Sequence, residues 1–486
     1  RPLLLAERMF SQPHFQKRPS RRTVPNGYVR FAREKSIMKN LPFLLLSCYL
    51  AITLQGSDKP NVIILLADDL GWADLGYQGS DDIRTPNIDQ LAKNGIRFTD
   101  GHVSASVCSP SRAGLMTGRY QQRFGHEANS PPPSDGMDLK QVTLAERLKK
   151  LGYRTGLIGK WHLGNRDEFY PTRRGFDYFY GLRSGSRSYF YHAKKDDKKG
   201  NAKAIEENGK HMKFDGYLTD VFGQKAIDFI TAKDDKPFFL FHSFTAPHGP
   251  MHATEEDKAL FASIENTKRR TYAAMIWAMD RAIGGLIDSL KASGKFENTL
   301  IWFLSDNGGA TGNASINLPL AGHKGIKFEG GTRVAFFAHW PKQFKKPKKF
   351  DPMMISLDIM PTSLAAAGAK DEDLKGLDGV NLLPFIEGEK TTPPHKNLYW
   401  HKLWFSAMRD GPWKLIYVQD YGYALYNLDK DLAESKNLIK PEKKRSRQMI
   451  TQLNEWKAGL EKPRWGEAEV WFRTHSKNHV RIIEGN

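Results

Sequence analysis

Apolar runs and amphipathic stretches alternate along most of the chain. Asn61-Val-Ile-Ile-Leu-Leu-Ala67 is apolar at every position after the first, the pattern of a strand covered on both faces. Similar runs at Thr155–Ile158, Pro237–Ser243, Thr299–Leu304 and Thr332–Trp340 read as further strands. Between them, helical spacing marks Pro86–Asn94 with Gly95 as its stop, a helix after Cys108 over Ser109 to about Thr117, Leu144–Leu151, Leu218–Thr231, residues 267–293 and Asp358–Ala367. Strand and helix in alternation predict an α/β fold with a large, mostly parallel central sheet flanked by helices. From about residue 395 the texture changes. Leu398-Tyr-Trp400, Phe405–Arg409 and Trp413–Tyr417 are short aromatic strands, Asp410-Gly411-Pro412 is a turn, and a Lys-rich helix follows near 441–459. This predicts a smaller C-terminal α+β subdomain over 395–486, behind a main domain over 57–394. Residues 193–213, rich in Lys, Asp and Gly, read as a solvated insertion, and there is no internal repeat.

Composition changes the picture at the N-terminus. The 486 residues are 40% hydrophobic and 26% charged, an ordinary globular balance, with a net charge of +19. Residues 1–56 carry +8 of it and the remainder +11. From Met38, a positive start, the apolar run Leu41–Leu54 and the small Gly56 describe a secretory signal with cleavage near Gly56. The expectation is an exported protein, periplasmic or secreted. Leu45-Leu-Ser-Cys48 also resembles a bacterial lipoprotein box, but the apolar run ahead of it is short. Residues 1–37 are Arg-rich without hydrophobic periodicity and read as an over-extended gene start. No other segment approaches the roughly 20 apolar residues of a membrane helix. A basic surface favours anionic partners, but no nucleic-acid-binding motif is present, so a nucleic-acid partner is not expected.

The informative polar residues follow the strands, where open α/β sheets bind ligands. Asp68 and Asp69 end the first strand; Lys160 and His162 follow the second; His248 follows the third; Asp306 and Asn307 follow the fourth; Lys324 lies in Gly322-His-Lys-Gly325. Three Asp and one Asn make an all-oxygen donor set, suited to Ca²⁺ or Mg²⁺ and not to zinc. Two Lys, one Arg and two His around them suit a tetrahedral oxyanion. With Cys48 inside the removable segment, Cys108 is the lone cysteine of the mature chain and has no disulfide partner within it.

Cys108 opens Cys108-Ser-Pro-Ser-Arg112-Ala-Gly-Leu-Met-Thr117-Gly118-Arg119, which resembles the signature of the formylglycine-dependent sulfatases. Ala67-Asp68-Asp69-Leu-Gly71, Gly159-Lys160-Trp-His162, Pro247-His248, Ser305-Asp306-Asn307-Gly308 and Lys324–Gly331 extend the resemblance, in order, to the arylsulfatase-type members of the alkaline phosphatase superfamily. The resemblance implies that Asp68, Asp69, Asp306, Asn307 and residue 108 bind one Ca²⁺. It implies conversion of Cys108 to formylglycine (3-oxoalanine) by a formylglycine-generating or anaerobic sulfatase-maturating enzyme. Arg112, Lys160, His162, His248 and Lys324 would surround the sulfate of a sulfated carbohydrate or aryl sulfate. In that scheme His248 is the general acid, His162 the later base, and Asp306 the group that takes the nucleophile's proton. Phosphonate and phosphodiester hydrolases of the superfamily use the same motif, so that reading stands beside the sulfatase one. A glycan-binding pseudo-sulfatase would lack machinery, and every motif position is filled. His323 reads equally as a sugar contact or a loop residue. Ser184, Ser186 and Arg187 read as pocket lining or plain loop. Trp400, His401 and Trp404 read as subdomain core or a sugar-stacking platform. Specificity is expected from loops 165–215, 310–323 and 395–425.

Overall fold

In the computed structural model, which describes residues 59–129, 131–132 and 135–485, ten strands form one sheet. From one edge the order is Lys348–Phe350, Ile96–Phe98, Phe336–His339, Thr299–Ser305, Asn61–Ala67, Phe238–Ser243, Arg154–Lys160, Tyr178–Leu182, Glu206–Glu207 and Lys210–His211. The five strands from Thr299–Ser305 to Tyr178–Leu182 run parallel, and antiparallel pairs flank them. Alternation along the first strand explains the layers. Ile63, Leu65 and Ala67 belong to one apolar cluster, Val62, Ile64 and Leu66 to the other. The first face is covered by helices Pro86–Lys93, Leu218–Thr231 and Thr267–Ala292, the second by Cys108–Thr117, Leu144–Lys150 and Ile359–Ala366. A sheet covered on both faces needs uninterrupted apolar strands, as the sequence has them.

Register sets the functional edge. Ala67 pairs with Ser305, Leu66 with Ser243, and Gly159 with Ser243, so the central strands end level. The residues that follow, Asp68, Lys160, Phe244 and Asp306, therefore leave the sheet side by side. Asp68 N–H donates to the Ala246 carbonyl and Asp306 N–H to the Ala67 carbonyl, each at 3.0 Å.

The C-terminal part forms a four-stranded antiparallel sheet, Asn397–Lys402, Phe405–Asp410, Trp413–Val418 and Gly422–Asn427, with helices Lys443–Ala458 and Glu469–Ile483. The strand expected over Thr332–Trp340 is confined to Phe336–His339, because Glu329–Thr332 coils into a short helix whose first N–H is held by buried Glu434 at 2.7 Å. Residues 193–213 are less solvated than expected. Asp197 is buried in a pair of 2.7 Å contacts with Arg187, and Glu206–Glu207 and Lys210–His211 join the sheet edge. Among the described residues no helix is long and apolar enough to cross a membrane. The expected signal at 38–56 lies outside the described residues.

Candidate active site

Cys108 is the first residue of the Cys108–Thr117 helix, every residue of which is buried. Arg112, four residues on, lies on the same helix face. The helix stops where Gly118 turns left-handed at φ 61°. The Cys108 Sγ lies 3.5 Å from Asp68 Oδ1, 3.8 Å from Asp69 Oδ1 and 3.2 Å from Lys324 Nζ. The sheet edge thus delivers two carboxylates to the start of a helix, and a distant loop delivers the ammonium.

Each charge is held. Lys160 Nζ donates to Asp68 Oδ2 at 2.7 Å, and Lys324 Nζ lies 2.7 Å from both Asp69 oxygens. Arg112 Nε donates to Asp306 Oδ2 at 2.9 Å, Nη1 to Ser243 Oγ at 2.6 Å and to the Lys160 carbonyl at 3.2 Å; Nη2 lies 3.6 Å from Asp68 Oδ1. Ser243, the polar end of an apolar strand, in turn donates its own hydroxyl hydrogen bond to the Lys160 carbonyl at 2.7 Å. Burial opposes the charge on Asp68, but Lys160, His248, Arg112 and Lys324 hold it far below the usual carboxylate range. Burial and the Asp68 carboxylate push Asp306 up to about 6 against the pull of Arg112. Burial, with Asp306 adding to it, pushes the Cys108 thiol well above its ordinary value. The encoded thiol is therefore protonated and a poor nucleophile.

The donor set fits a hard cation. Asn307 Nδ2 donates to Asp69 Oδ1 at 2.7 Å, which leaves its carboxamide oxygen buried without a partner. An orphaned buried acceptor beside three carboxylates is what an oxygen-ligated cation satisfies. Asp68, Asp69, Cys108 and His248 also bring ligand atoms within 4.8 Å of one another. A second such group, Asp100, His102 and Glu329, is already neutralised by Arg409, Arg333 and Lys414, and fastens the Glu329 turn to the C-terminal sheet.

The two histidines differ. His248 Nδ1 donates to the Gly249 carbonyl at 2.6 Å, leaving Nε2 toward the site, 3.5 Å from Asp69. His162 adopts a left-handed backbone, φ 62°, and its Nδ1 is buried without a partner. Burial, then Lys160 and Arg112, hold its ring well below the ordinary range, so it is neutral.

All of these surround or floor a cavity of about 780 Å³. Asp69, Cys108, His162, His248 and Lys324 line it; Lys160, Arg112, Asp68, Asp306 and Asn307 lie beneath. His323, Ser184 and Ser186 line it too, whereas Arg187 is locked to Asp197. Trp400 is core, with its Nε1 donating to the Val103 carbonyl at 2.7 Å, and Trp404 packs on Phe472. His401 is tied to Ser406 at 2.8 Å. Sequence reasoning missed the wall built by Trp471, Thr474, His475 and Asn478. Their helix also braces the catalytic loop, since Lys327 N–H donates to His479 Nε2 at 2.9 Å. The missed signal was the spacing of those four residues, legible only once the helix was known.

Comparison with known proteins places this geometry. The sulfatase family model matches residues 60–369, and that of the N-sulphoglucosamine sulphohydrolase C-terminal region matches 323–461. The chain is 34% identical to Arylsulfatase J of Mus musculus over 76% of its own length and 62% of the relative's, so it spans less than two thirds of that protein. It is 32% identical to N-acetylgalactosamine-6-sulfatase of Mus musculus over 72% of its length and 71% of the relative's. A crystal structure of Ps i-CgsB in complex with k-i-k-neocarrahexaose superposes with a TM-score of 0.80 at 36% identity, covering 87% of this chain and 99% of that one. Matched over most of its described length, with Asp68, Asp69, Cys108, Lys160, Asp306 and Lys324 converging at the sheet edge, the chain belongs to the sulfatase family.

Proposed function

We propose that this protein is an exported sulfatase that hydrolyses sulfate monoesters of a sulfated carbohydrate. The observation that carries the reading is the convergence of Asp68, Asp69, Asp306 and the unpartnered Asn307 oxygen beneath Cys108, with two lysines at the same point. Asp68, Asp69, Asp306 and Asn307 would hold one Ca²⁺, which supplies Lewis acidity and neutralises charge beside residue 108. Converted to formylglycine, residue 108 supplies, as its hydrate, a nucleophilic hydroxyl and a second hydroxyl for release of sulfate.

The chain's own groups then divide the work. Lys324 and Lys160 bind sulfate oxygens and meet the charge that develops on the bridging oxygen. Arg112 orients Asp306 and Asp68 from below, a positioning role that its contacts with Ser243 and the Lys160 carbonyl keep rigid. His248, its Nδ1 committed to Gly249, presents Nε2 to the departing alcohol and delivers its proton. His162, held neutral, accepts a proton when sulfate leaves. Carbohydrate as the substrate class is supported by the oligosaccharide bound to Ps i-CgsB and by the size of the cavity. Export is supported by the signal-like segment 38–56.

The test is sulfate release from 4-nitrophenyl sulfate and defined sulfated oligosaccharides, by protein co-expressed with a maturation enzyme and by its Cys108→Ala variant. Intact mass should show the thiol-to-aldehyde change, and the variant should be inactive but folded. Turnover by protein whose Cys108 is an unmodified thiol, or faster hydrolysis of 4-nitrophenyl phosphonate esters than of sulfate, overturns the reading.

A further inference from the structure

The helix Glu469–Ile483 faces two ways. Phe472 packs on Trp404 at 4.9 Å, His479 stacks on Phe405 at 4.6 Å, and Ile483 is buried in the same cluster. Trp471, Thr474, His475 and Asn478 line the cavity instead. Their spacing of i, i+3, i+4 and i+7 is one face of an α-helix. The first face is accounted for by the core, and the second is not.

Trp471 is 54% exposed and its ring contact is with His475, at 5.7 Å. A half-open indole on a cavity wall contributes little to the fold and offers a flat apolar face. Its neighbours supply what such a face lacks. His323 Nδ1 donates to the Lys324 carbonyl at 2.8 Å, which makes Nε2 an acceptor, 3.4 Å from Asn478 Nδ2. The Asn478 carboxamide keeps a second N–H and its oxygen for a ligand. This wall adjoins the catalytic loop directly, because His475 sits where a side chain on Gly325 would be, and Trp471 lies one turn before His475. A sulfate ester group fills only a small part of a cavity of about 780 Å³.

A pyranose ring has the matching chemistry: a face of C–H groups for the indole and a rim of hydroxyls for the Asn478 carboxamide, which His323 Nε2 orients. We infer that Trp471 and Asn478, the latter oriented by His323, form a subsite for a pyranose ring adjoining the sulfated sugar, so that the substrate is an oligosaccharide. The inference rests on the sulfatase reading and adds to it the recognition of a second sugar.

The experiment compares 4-nitrophenyl sulfate with a panel of carrageenan and chondroitin sulfate hexasaccharides, taking forward the one hydrolysed with the highest kcat/KM. Trp471→Ala should lower the ratio of kcat/KM on that hexasaccharide to kcat/KM on the aryl sulfate by about tenfold, through KM. Trp471→Phe should restore most of the ratio, and Asn478→Ala should lower it too. Thermal unfolding of each variant records that the fold persists. An unchanged ratio overturns the subsite, as does a panel in which no hexasaccharide is hydrolysed more efficiently than the aryl sulfate. If matured protein turns over neither the aryl sulfate nor any hexasaccharide, the sulfatase reading itself falls, and the subsite with it.

Discussion

Gly325→Ala tests how the C-terminal helix fixes the catalytic lysine. Gly325 follows Lys324 and has φ 94°, and a Cβ there would lie 2.4 Å from His475 Nε2 and 2.8 Å from Cε1. Neither side can yield freely. Gly325 N–H is tied to the Ser106 carbonyl at 2.7 Å, and His475 is 7% exposed on a helix that also accepts the Lys327 N–H through His479. The left-handed backbone costs an Ala about 1–2 kcal/mol. Overpacking against His475 adds about 1–3 kcal/mol. The expected destabilisation is thus about 2–5 kcal/mol, read as a lowered urea midpoint. Lys324 Nζ bridges Asp69 and residue 108, so relief by movement of the loop displaces the ammonium from the sulfate. A displacement near 1 Å lowers kcat on the order of 10²-fold. In a double-mutant cycle with His475→Ala, the overpacking part is relieved and the backbone part remains, giving a favourable coupling of about 1–3 kcal/mol. Unfolding of Gly325→Ala indistinguishable from the parent, or strict additivity in the cycle, would refute the reasoning.

Three further outcomes are expected. His248→Ala should slow esters of poorly acidic alcohols far more than 4-nitrophenyl sulfate, by about 10²–10⁴-fold for the former; a uniform loss across leaving groups would remove His248 as the acid. Chelation with EGTA should abolish activity and lower the melting temperature, and Ca²⁺ should restore both, whereas Asn307→Leu should weaken the Ca²⁺-dependent rise in melting temperature; a melting temperature blind to Ca²⁺ would count against the oxygen site. Buried His242 has no hydrogen-bond partner on either ring nitrogen, and burial holds it down to about 3. Below its unfolded value near 6.5 the unfolded chain takes up a proton that the folded chain refuses, so stability is lost as pH falls from about 6.5 toward 3. His242→Leu should therefore reduce the drop in melting temperature between pH 7 and pH 5, by up to about 1.4 kcal/mol per pH unit in stability; an unchanged drop would show that His242 is not protonated on unfolding.

Much of this protein is written locally. The run Asn61–Ala67 reads as a strand covered on both faces, and the periodicity of Leu218–Thr231 marks a helix over those same residues. Because parallel strands end at one edge, the polar residues after each run could be assigned to one site from order alone: Asp68, Asp69, Lys160, His248, Asp306 and Asn307. The Cys108–Arg119 signature carried the family for the same reason, as contiguous residues on one helix and its stop.

What the sequence left open depends on neighbours far away along the chain. Trp400 and Trp471 are both tryptophans of the C-terminal region, yet one is fully buried and the other half exposed, a difference set by where the sheet and the last helix dock. Arg187 and Arg112 are both buried arginines, but Asp197 claims the first while Asp306 and Asp68 hold the second in the site. The unpartnered Asn307 oxygen has no sequence signature, and the face from Trp471 to Asn478 becomes a cavity wall only once the last helix docks, because both depend on segments more than a hundred residues away. Periodicity and motif order determined the elements, the edge and the chemistry, since those depend on near neighbours. Only tertiary packing decided which side chains meet solvent in the cavity and what shape of substrate they fit.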